Sequence, residues 1–326
     1  MADDKNIHNT VIIGSGPAGL TAALYTARAE LKPVVVAGLT PGGQLMLTTE
    51  VENFPGFPKG ILGPALMDNM IKQVERFGAQ MLYDNVTSVD FSKQPFVLKT
   101  EKQELLAKSV IIATGAEAKW LGLPNEQRLR GKGVSACATC DGFFFKEKEV
   151  VVVGGGDSAM EEANFLTKFA KHVTIIHRRN EFKASKIMLA RSKANQKISF
   201  ITKAEVIDVL GDSTVSGVTI KHNDSGKIEN LAAQGYFAAI GHVPATKIFK
   251  DAGVETDQKG YIVVKDNTQT NIPGVFVAGD VDDFRYRQAV TAAGMGCMAA
   301  LDVEKYLANQ EGGEEPKVQH HWWPQS

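Results

Sequence analysis

Cys137 and Cys140, in the run Cys137-Ala138-Thr139-Cys140-Asp141, are two thiols at a spacing that could bind a metal or cycle between dithiol and disulfide. Structural zinc takes four ligands. The third cysteine, Cys297, sits in the small-residue stretch 292–300, and no second Cys-x-x-Cys or paired histidine falls within the folded body. The redox reading therefore leads: two intervening residues let the sulfurs close a small ring, and the surroundings can stabilise a thiolate. Asp141 is a candidate proton donor and acceptor for the leaving thiolate. Capping the following turn is an equally open role for it and does not exclude the first.

Two glycine-rich runs flank this pair. Gly14-Ser15-Gly16-Pro17-Ala18-Gly19 follows Val11-Ile12-Ile13, and Gly154-Gly155-Gly156-Asp157-Ser158-Ala159 follows the apolar run 150–153. Between a strand and a helix, such a run lets backbone approach a pyrophosphate, and the helix N-terminus offers unpaired N–H groups and partial positive charge. In the first site the second strand ends in Ala37-Gly38, with no carboxylate for ribose hydroxyls. Gly42, Gly43 and Gln44, with Leu45 after them, can substitute through backbone and amide contacts. In the second site Gly154, Gly156, Asp157 and Ser158 are the candidate contacts. About 20 residues further on, His177-Arg178-Arg179 stands where an NAD site would carry Asp or Glu. Arginine's planar donors match a phosphate, so this position selects NADPH over NADH, with Lys183 as a third cation. A charge run is ordinarily a solvated surface; here the spacing from the fingerprint overrides that reading.

These groups need elements to hold them. Strand-length apolar runs at 11–13, 33–37, 109–113, 150–153, 173–176 and 275–278 alternate with helical stretches at 18–29, 158–169 and 287–306. That alternation predicts an α/β fold with parallel sheets. The two fingerprints, about 140 residues apart, are an internal echo that predicts two dinucleotide-binding domains. At 326 residues and 44% hydrophobic content the chain can supply both cores. Thirty-six basic against 37 acidic residues leave a net charge of −1, no field for a nucleic acid or an anionic membrane. Three cysteines are not a secreted disulfide framework and fit a cytosolic enzyme. The first nine residues carry Asp3, Asp4 and Lys5 and lack the basic region of a secretory signal. The apolar stretch 11–29 is broken by Gly14, Gly16, Pro17 and Gly19, so it reads as strand, turn and helix rather than a membrane span. The segment from 309 onward has no periodicity and reads as a mobile tail.

With these residues in hand, the chain closely resembles the bacterial-type, low-molecular-weight thioredoxin reductases over residues 9–307. The likeness runs through 14–19, Gly42-Gly43-Gln44, 50–56 (EVENFPG), Ala113-Thr114-Gly115 and 137–142 (CATCDG). It continues through 154–159, His177-Arg178-Arg179, Ile240-Gly241-His242, Gly279-Asp280-Val281 and 286–289 (YRQA). CATCDG ahead of an NADPH fingerprint separates this family from glutathione-reductase-like enzymes, whose cysteines sit early in the flavin domain. The resemblance implies two Rossmann-like domains, the NADPH domain inserted into the FAD domain. Residues 1–117 and 246–326 would bind FAD, while 118–245 would bind NADPH and carry the dithiol.

By the same resemblance FAD is held by Gly14, Ser15, Gly16, Pro17, Ala18 and Gly19, and by Gln44, Asn53 and Asp280. Val86, Thr114, Gly115, Gly279 and Val281 complete that set, with Arg287, Gln288 and Ala289 near the isoalloxazine. Ile240 and Gly241 join the NADPH contacts. Cys140 faces the flavin and Cys137 attacks the disulfide of thioredoxin, within a cytoplasmic homodimer. Lys183 stands where the family often has arginine, which softens selectivity for the 2′-phosphate. Dithiol and NADPH fingerprint fall in one domain yet must serve one flavin, so the 118–245 domain is expected to rotate about crossings at 116–120 and 241–247. The basic run Arg128-Leu129-Arg130-Gly131-Lys132 either steers an acidic partner or is a solvated loop. A flavin-dependent dithiol oxidase of the same fold, and a non-catalytic redox sensor, are the competing readings. The first has no use for the arginine pair; the second would need an effector module that the sequence does not display.

Overall fold

The computed structural model describes residues 7–39, 41–47, 50–310 and 312. The chain divides into two compact units: Met1–Leu45 with Leu66–Gly115 and Pro244–Ser326, and Met46–Ala65 with Ala116–Val243.

The first unit is built on a seven-stranded sheet. Its parallel part runs Gln80–Leu82, Val34–Val36, Ile7–Ile13 and Glu104–Ile112. The strand Glu104–Ile112 has two partners along its free edge. Its first half pairs antiparallel with Phe96–Thr100, and its last three residues pair parallel with Val275–Val277. The burial pattern explains the division. Val110, Ile111 and Ile112 are covered on both faces, as a parallel strand requires, whereas Phe96–Thr100 keeps Lys99 in water between buried Leu98 and Thr100. Burying each such Val or Ile side chain stabilises the fold by about 1.5–3 kcal/mol.

The helix Pro17–Arg28 starts on Gly16 with proline in its first turn, a position where the missing N–H costs nothing. It packs on the C-terminal helix Ala289–Gln310 with no room between backbones: a Cβ at Gly296 would lie 2.1 Å from the Ala18 carbonyl oxygen. That helix continues through Gln310, past the point where the sequence predicts a tail; 311 and 313–326 lie outside the described residues.

The second unit carries a five-stranded parallel sheet in the order Val134–Ser135, Gly235–Ala238, Glu149–Val153, His172–His177, Ile198–Thr202. Beside it lies an antiparallel meander of Ala204–Leu210, Gly217–His222 and Ile228–Ala232. The helix after the second fingerprint is shorter than the sequence suggests, Asp157–Leu166.

Candidate active site

The two units repeat one local device. Gly14 and Gly154 have φ of +112° and +159°, and a Cβ at either would strike a carbonyl oxygen, that of Ala113 at 2.2 Å or of Ala239 at 2.3 Å. Each donates its N–H to the end of the neighbouring strand, Gly14 to Val36 at 2.9 Å and Gly154 to Ile176 at 3.1 Å. The fold itself therefore demands these two glycines. Gly16 and Gly156 are different. Their φ values of −72° and −102° suit any residue, a Cβ there would meet nothing within 4 Å, and neither helix start has a side-chain cap. Both leave open space at a helix N-terminus, the room and polarity that a pyrophosphate fits.

In the first unit the candidate residues gather at the carboxyl ends of parallel strands, where α/β sheets bind ligands. Ile13 pairs in register with Val36 and with Ile112, and Ile112 with Val277. The segments 14–19, Ala37-Gly38, Thr114-Gly115 and Gly279-Asp280-Val281 thus leave the sheet at one level. Ser15 ties this edge together: its hydroxyl donates to the Ala37 carbonyl at 2.8 Å and accepts the Gly42 N–H at 3.0 Å. A Cβ at Gly43 would lie 3.3 Å from the Gly16 Cα, and Gln44 and Leu45 follow in the same 3₁₀ turn. Val86 packs half-buried against the core. Asn53 lies in the segment grouped with the second unit.

Asp280 is a half-buried carboxyl pushed up to about 6 by burial and by Asp283, against the pull of Arg287. It can give or take a hydrogen bond near neutral pH. Asp283 accepts the backbone N–H groups of Arg285, Tyr286 and Arg287 at 2.8–3.1 Å, which holds Arg287 at φ +49° ahead of Gln288 and Ala289. Asp282 is pushed up to about 7, chiefly by burial and then by Asp283, and its Oδ1 is buried without a hydrogen-bond partner. Between about pH 4 and pH 7 the folded protein keeps a proton there that the unfolded chain has released. The associated stability is complete at low pH and lost as pH rises through 7. Asp282→Asn should therefore gain stability on wild type by about 1–3 kcal/mol between pH 4.5 and pH 8, read from urea midpoints. An equal gap at both pH values would show that Asp282 does not titrate in this window.

In the second unit the dithiol and the second fingerprint share one sheet edge, since Ser135 pairs with Phe237 and Val153 with Ala238. Cys137 and Cys140 are joined as a disulfide, with Cα atoms 5.3 Å apart. Cys137 caps the short helix Ala138–Asp141, its Sγ accepting the Cys140 N–H at 3.2 Å and lying 3.3 Å from Thr139 Oγ1. Cys137 is half-buried and Cys140 exposed.

Ser135 carries no signal of its own in the sequence, yet it ties the Asp141 carboxyl to the Cys137 backbone. Its hydroxyl donates to Asp141 Oδ2 at 2.5 Å and accepts the Cys137 N–H at 3.0 Å. Burial raises the Asp141 carboxyl above the usual range, with the serine bond pulling the other way. Asp141 therefore holds its proton to higher pH than an exposed aspartate, as a proton donor beside a leaving thiolate needs.

Arg178, Arg179 and Lys183 are exposed, with no ion pair to their side chains among the described residues. Asp157 uses Oδ1 to accept the Ser185 N–H at 2.7 Å, next to Ser158 in the first helical turn. Ile240 and Gly241 follow the strand Gly235–Ala238. The basic run before the dithiol is largely engaged: Arg128 donates to the Gly211 and Asp212 carbonyls at 2.5 Å, and Arg130 lies 4.0 Å over the Trp120 ring. Among the described residues, that leaves Lys132 of its cations without such an engagement, which favours the plain-loop reading.

Two sheets with ligand-ready carboxyl edges, one bearing a disulfide, define a dinucleotide-dependent disulfide oxidoreductase. The chain belongs to the pyridine nucleotide-disulphide oxidoreductase family, whose model matches residues 8–296. It is 54% identical over 318 residues to the thioredoxin reductase of Streptomyces coelicolor, covering 96% of this chain and 98% of that protein. The thioredoxin reductase of Mycolicibacterium smegmatis is 51% identical over 312 residues, 95% of this chain and 100% of that one. A solved thioredoxin reductase from Giardia duodenalis superposes with a TM-score of 0.89 at 45% identity, over 93% of this chain and 99% of that one. The fold is thus the two-domain Rossmann-like fold of this family, which uses flavin and nucleotide cofactors.

Proposed function

We propose that the protein is a thioredoxin-disulfide reductase, carrying electrons from NADPH through FAD and the Cys137–Cys140 pair to the disulfide of thioredoxin. The observation that carries this reading is a Cys137–Cys140 disulfide on the same sheet edge as an arginine pair with no ion pair among the described residues. FAD, held at the first fingerprint by Gly14, Gly16 and Gly19, would supply the two-electron chemistry that connects the nicotinamide to that disulfide. The protein's own residues do the rest.

Once reduced, Cys137 is the better thiolate, because the Cys140 N–H and the Thr139 hydroxyl already point at its sulfur. It attacks one sulfur of the partner disulfide, and the other leaves as a thiolate. Cys140 then attacks Cys137 in the mixed disulfide, which restores the Cys137–Cys140 bond and frees the second partner thiolate. Asp141 supplies and reclaims a proton at these sulfurs. Phe143, 57% exposed and edge-on to Phe144 and Phe169, offers an apolar landing for a protein substrate two residues past Asp141.

By the site assignment above, FAD belongs to the unit carrying the first fingerprint, and the dithiol and NADPH site to the other. The second unit then turns between half-reactions. Val290, Met298 and Leu301 line one exposed stripe of the helix Ala289–Gln310, which supports a homodimer with a second copy covering it. Among the described residues no helix is long and apolar enough to cross a membrane. A reducing cytoplasm suits a dithiol that must be recycled.

The test is NADPH-driven reduction of purified thioredoxin, followed together with oxygen uptake. Thioredoxin-dependent NADPH oxidation is the expected result. Rapid oxygen uptake without thioredoxin reduction would instead favour the oxidase.

A further inference from the structure

We propose that His177 is a positioning residue whose ring, wedged between the Gly155 backbone and Phe182, sets the Arg178, Arg179 and Lys183 cradle without itself touching the 2′-phosphate. This rests on the NADPH reading above.

The wedge is visible on both faces of the ring. A Cβ at Gly155 would lie 2.2 Å from His177 Cε1 and 2.3 Å from Nδ1. Gly155 is not at positive φ, so the imidazole rather than backbone conformation excludes a side chain there. Phe182 stacks on the ring at 4.9 Å and 25°, and is itself braced edge-on by Phe200 at 5.6 Å.

Hydrogen bonding leaves the ring nothing to offer a phosphate. Nε2 lies 3.0 Å from the Glu181 carbonyl oxygen, which can only accept, so Nε2 carries the hydrogen. Nδ1 then presents only an in-plane lone pair, which an ionised phosphate oxygen cannot use, while Gly155 covers a face of the ring. Burial, with help from the two adjacent guanidinium groups, holds the imidazole below its ordinary pKa, so it stays neutral near pH 7.

The same segment is laced to the glycine loop by its backbone. The Gly155 carbonyl accepts the N–H groups of Lys183 at 2.7 Å and Ala184 at 3.1 Å, and Asp157 accepts that of Ser185 at 2.7 Å. The place of residue 183 is thereby fixed through its main chain. The distance of Arg178 and Arg179 from that anchored segment, and so the shape of the cradle, depends on what fills the space between Gly155 and Phe182.

Calorimetric titration of the holoenzyme with 2′,5′-ADP and with 5′-AMP tests this without turnover. His177→Ala should lower the preference for 2′,5′-ADP by about 10- to 100-fold, the scale of one charged hydrogen bond, and leave 5′-AMP affinity unchanged. His177→Phe keeps a stacking ring and should stay within about twofold of wild type. Gly155→Ala should lose preference as His177→Ala does, and should cost less when added to His177→Ala than alone, because both remove one contact. His177→Phe binding as poorly as His177→Ala would mean that the ring's hydrogen bonding, to Glu181 or to the phosphate, rather than the space it fills, sets the cradle, and would overturn the proposal. So would a full preference retained in His177→Ala. A wild type with no preference for 2′,5′-ADP would instead remove the NADPH reading, and this proposal with it.

Discussion

Cys140→Ser is expected to abolish thioredoxin reduction, by at least about 10³-fold, while anaerobic NADPH still bleaches the flavin. The two halves of that result separate two steps. Accepting a hydride needs only the nucleotide sites, whose glycines and cations serine leaves alone. Passing electrons onward needs a bond between Cys137 and Cys140, and a hydroxyl cannot form it. The same variant assigns the two sulfurs. If Cys137 attacks, Cys140→Ser retains the nucleophile, with its Thr139 contact, and lacks the resolving thiol. It should then accumulate a covalent mixed disulfide with thioredoxin, stable on a non-reducing gel, whereas Cys137→Ser should not. Trapping by Cys137→Ser instead would exchange the roles. Full turnover in either variant would remove the dithiol from the reaction.

The sequence made the nucleotide edges legible because their determinants are local. A strand, a glycine that must sit at positive φ and a helix N-terminus follow one another within six residues, so spacing alone located 14–19 and 154–159. The arginine pair was legible for the same reason, being fixed by its distance from the glycines. What escaped was set by tertiary neighbours. Ser135 precedes the cysteines, but its use depends on the turn that brings Asp141 Oδ2 back to it. Gly155 looks like one more loop glycine until the His177 ring is seen against it. Ser15 and Asp157 read as ligand contacts, yet part of their hydrogen-bonding capacity goes to holding the loops themselves. The strands Val86–Asp90 and Ile228–Ala232 carry little signal of their own, because their outward residues are polar and their inward ones few. Such edges gain their identity from a neighbouring strand rather than from their own pattern.

The second large effect is expected at the arginine pair. Arg178→Ala with Arg179→Ala should raise the KM for NADPH by about 10²–10⁴-fold and change that for NADH by less than about threefold. Each guanidinium can make charge-assisted bonds to a phosphate worth about 1.5–3 kcal/mol, and every 1.4 kcal/mol is about tenfold. Neither has an ion pair to give up among the described residues, so little of that gain is offset by a broken contact. Lys183 survives in the double variant and, anchored through its main chain, keeps part of the attraction, which places the result toward the lower bound. Both arginines are exposed, so the wild-type preference should also weaken with added salt, and the variant should have lost most of that dependence. Equal losses with NADPH and NADH would mean that the pair acts on the loop rather than on the 2′-phosphate. The charge at the end of His172–His177 would then be a solvated surface after all.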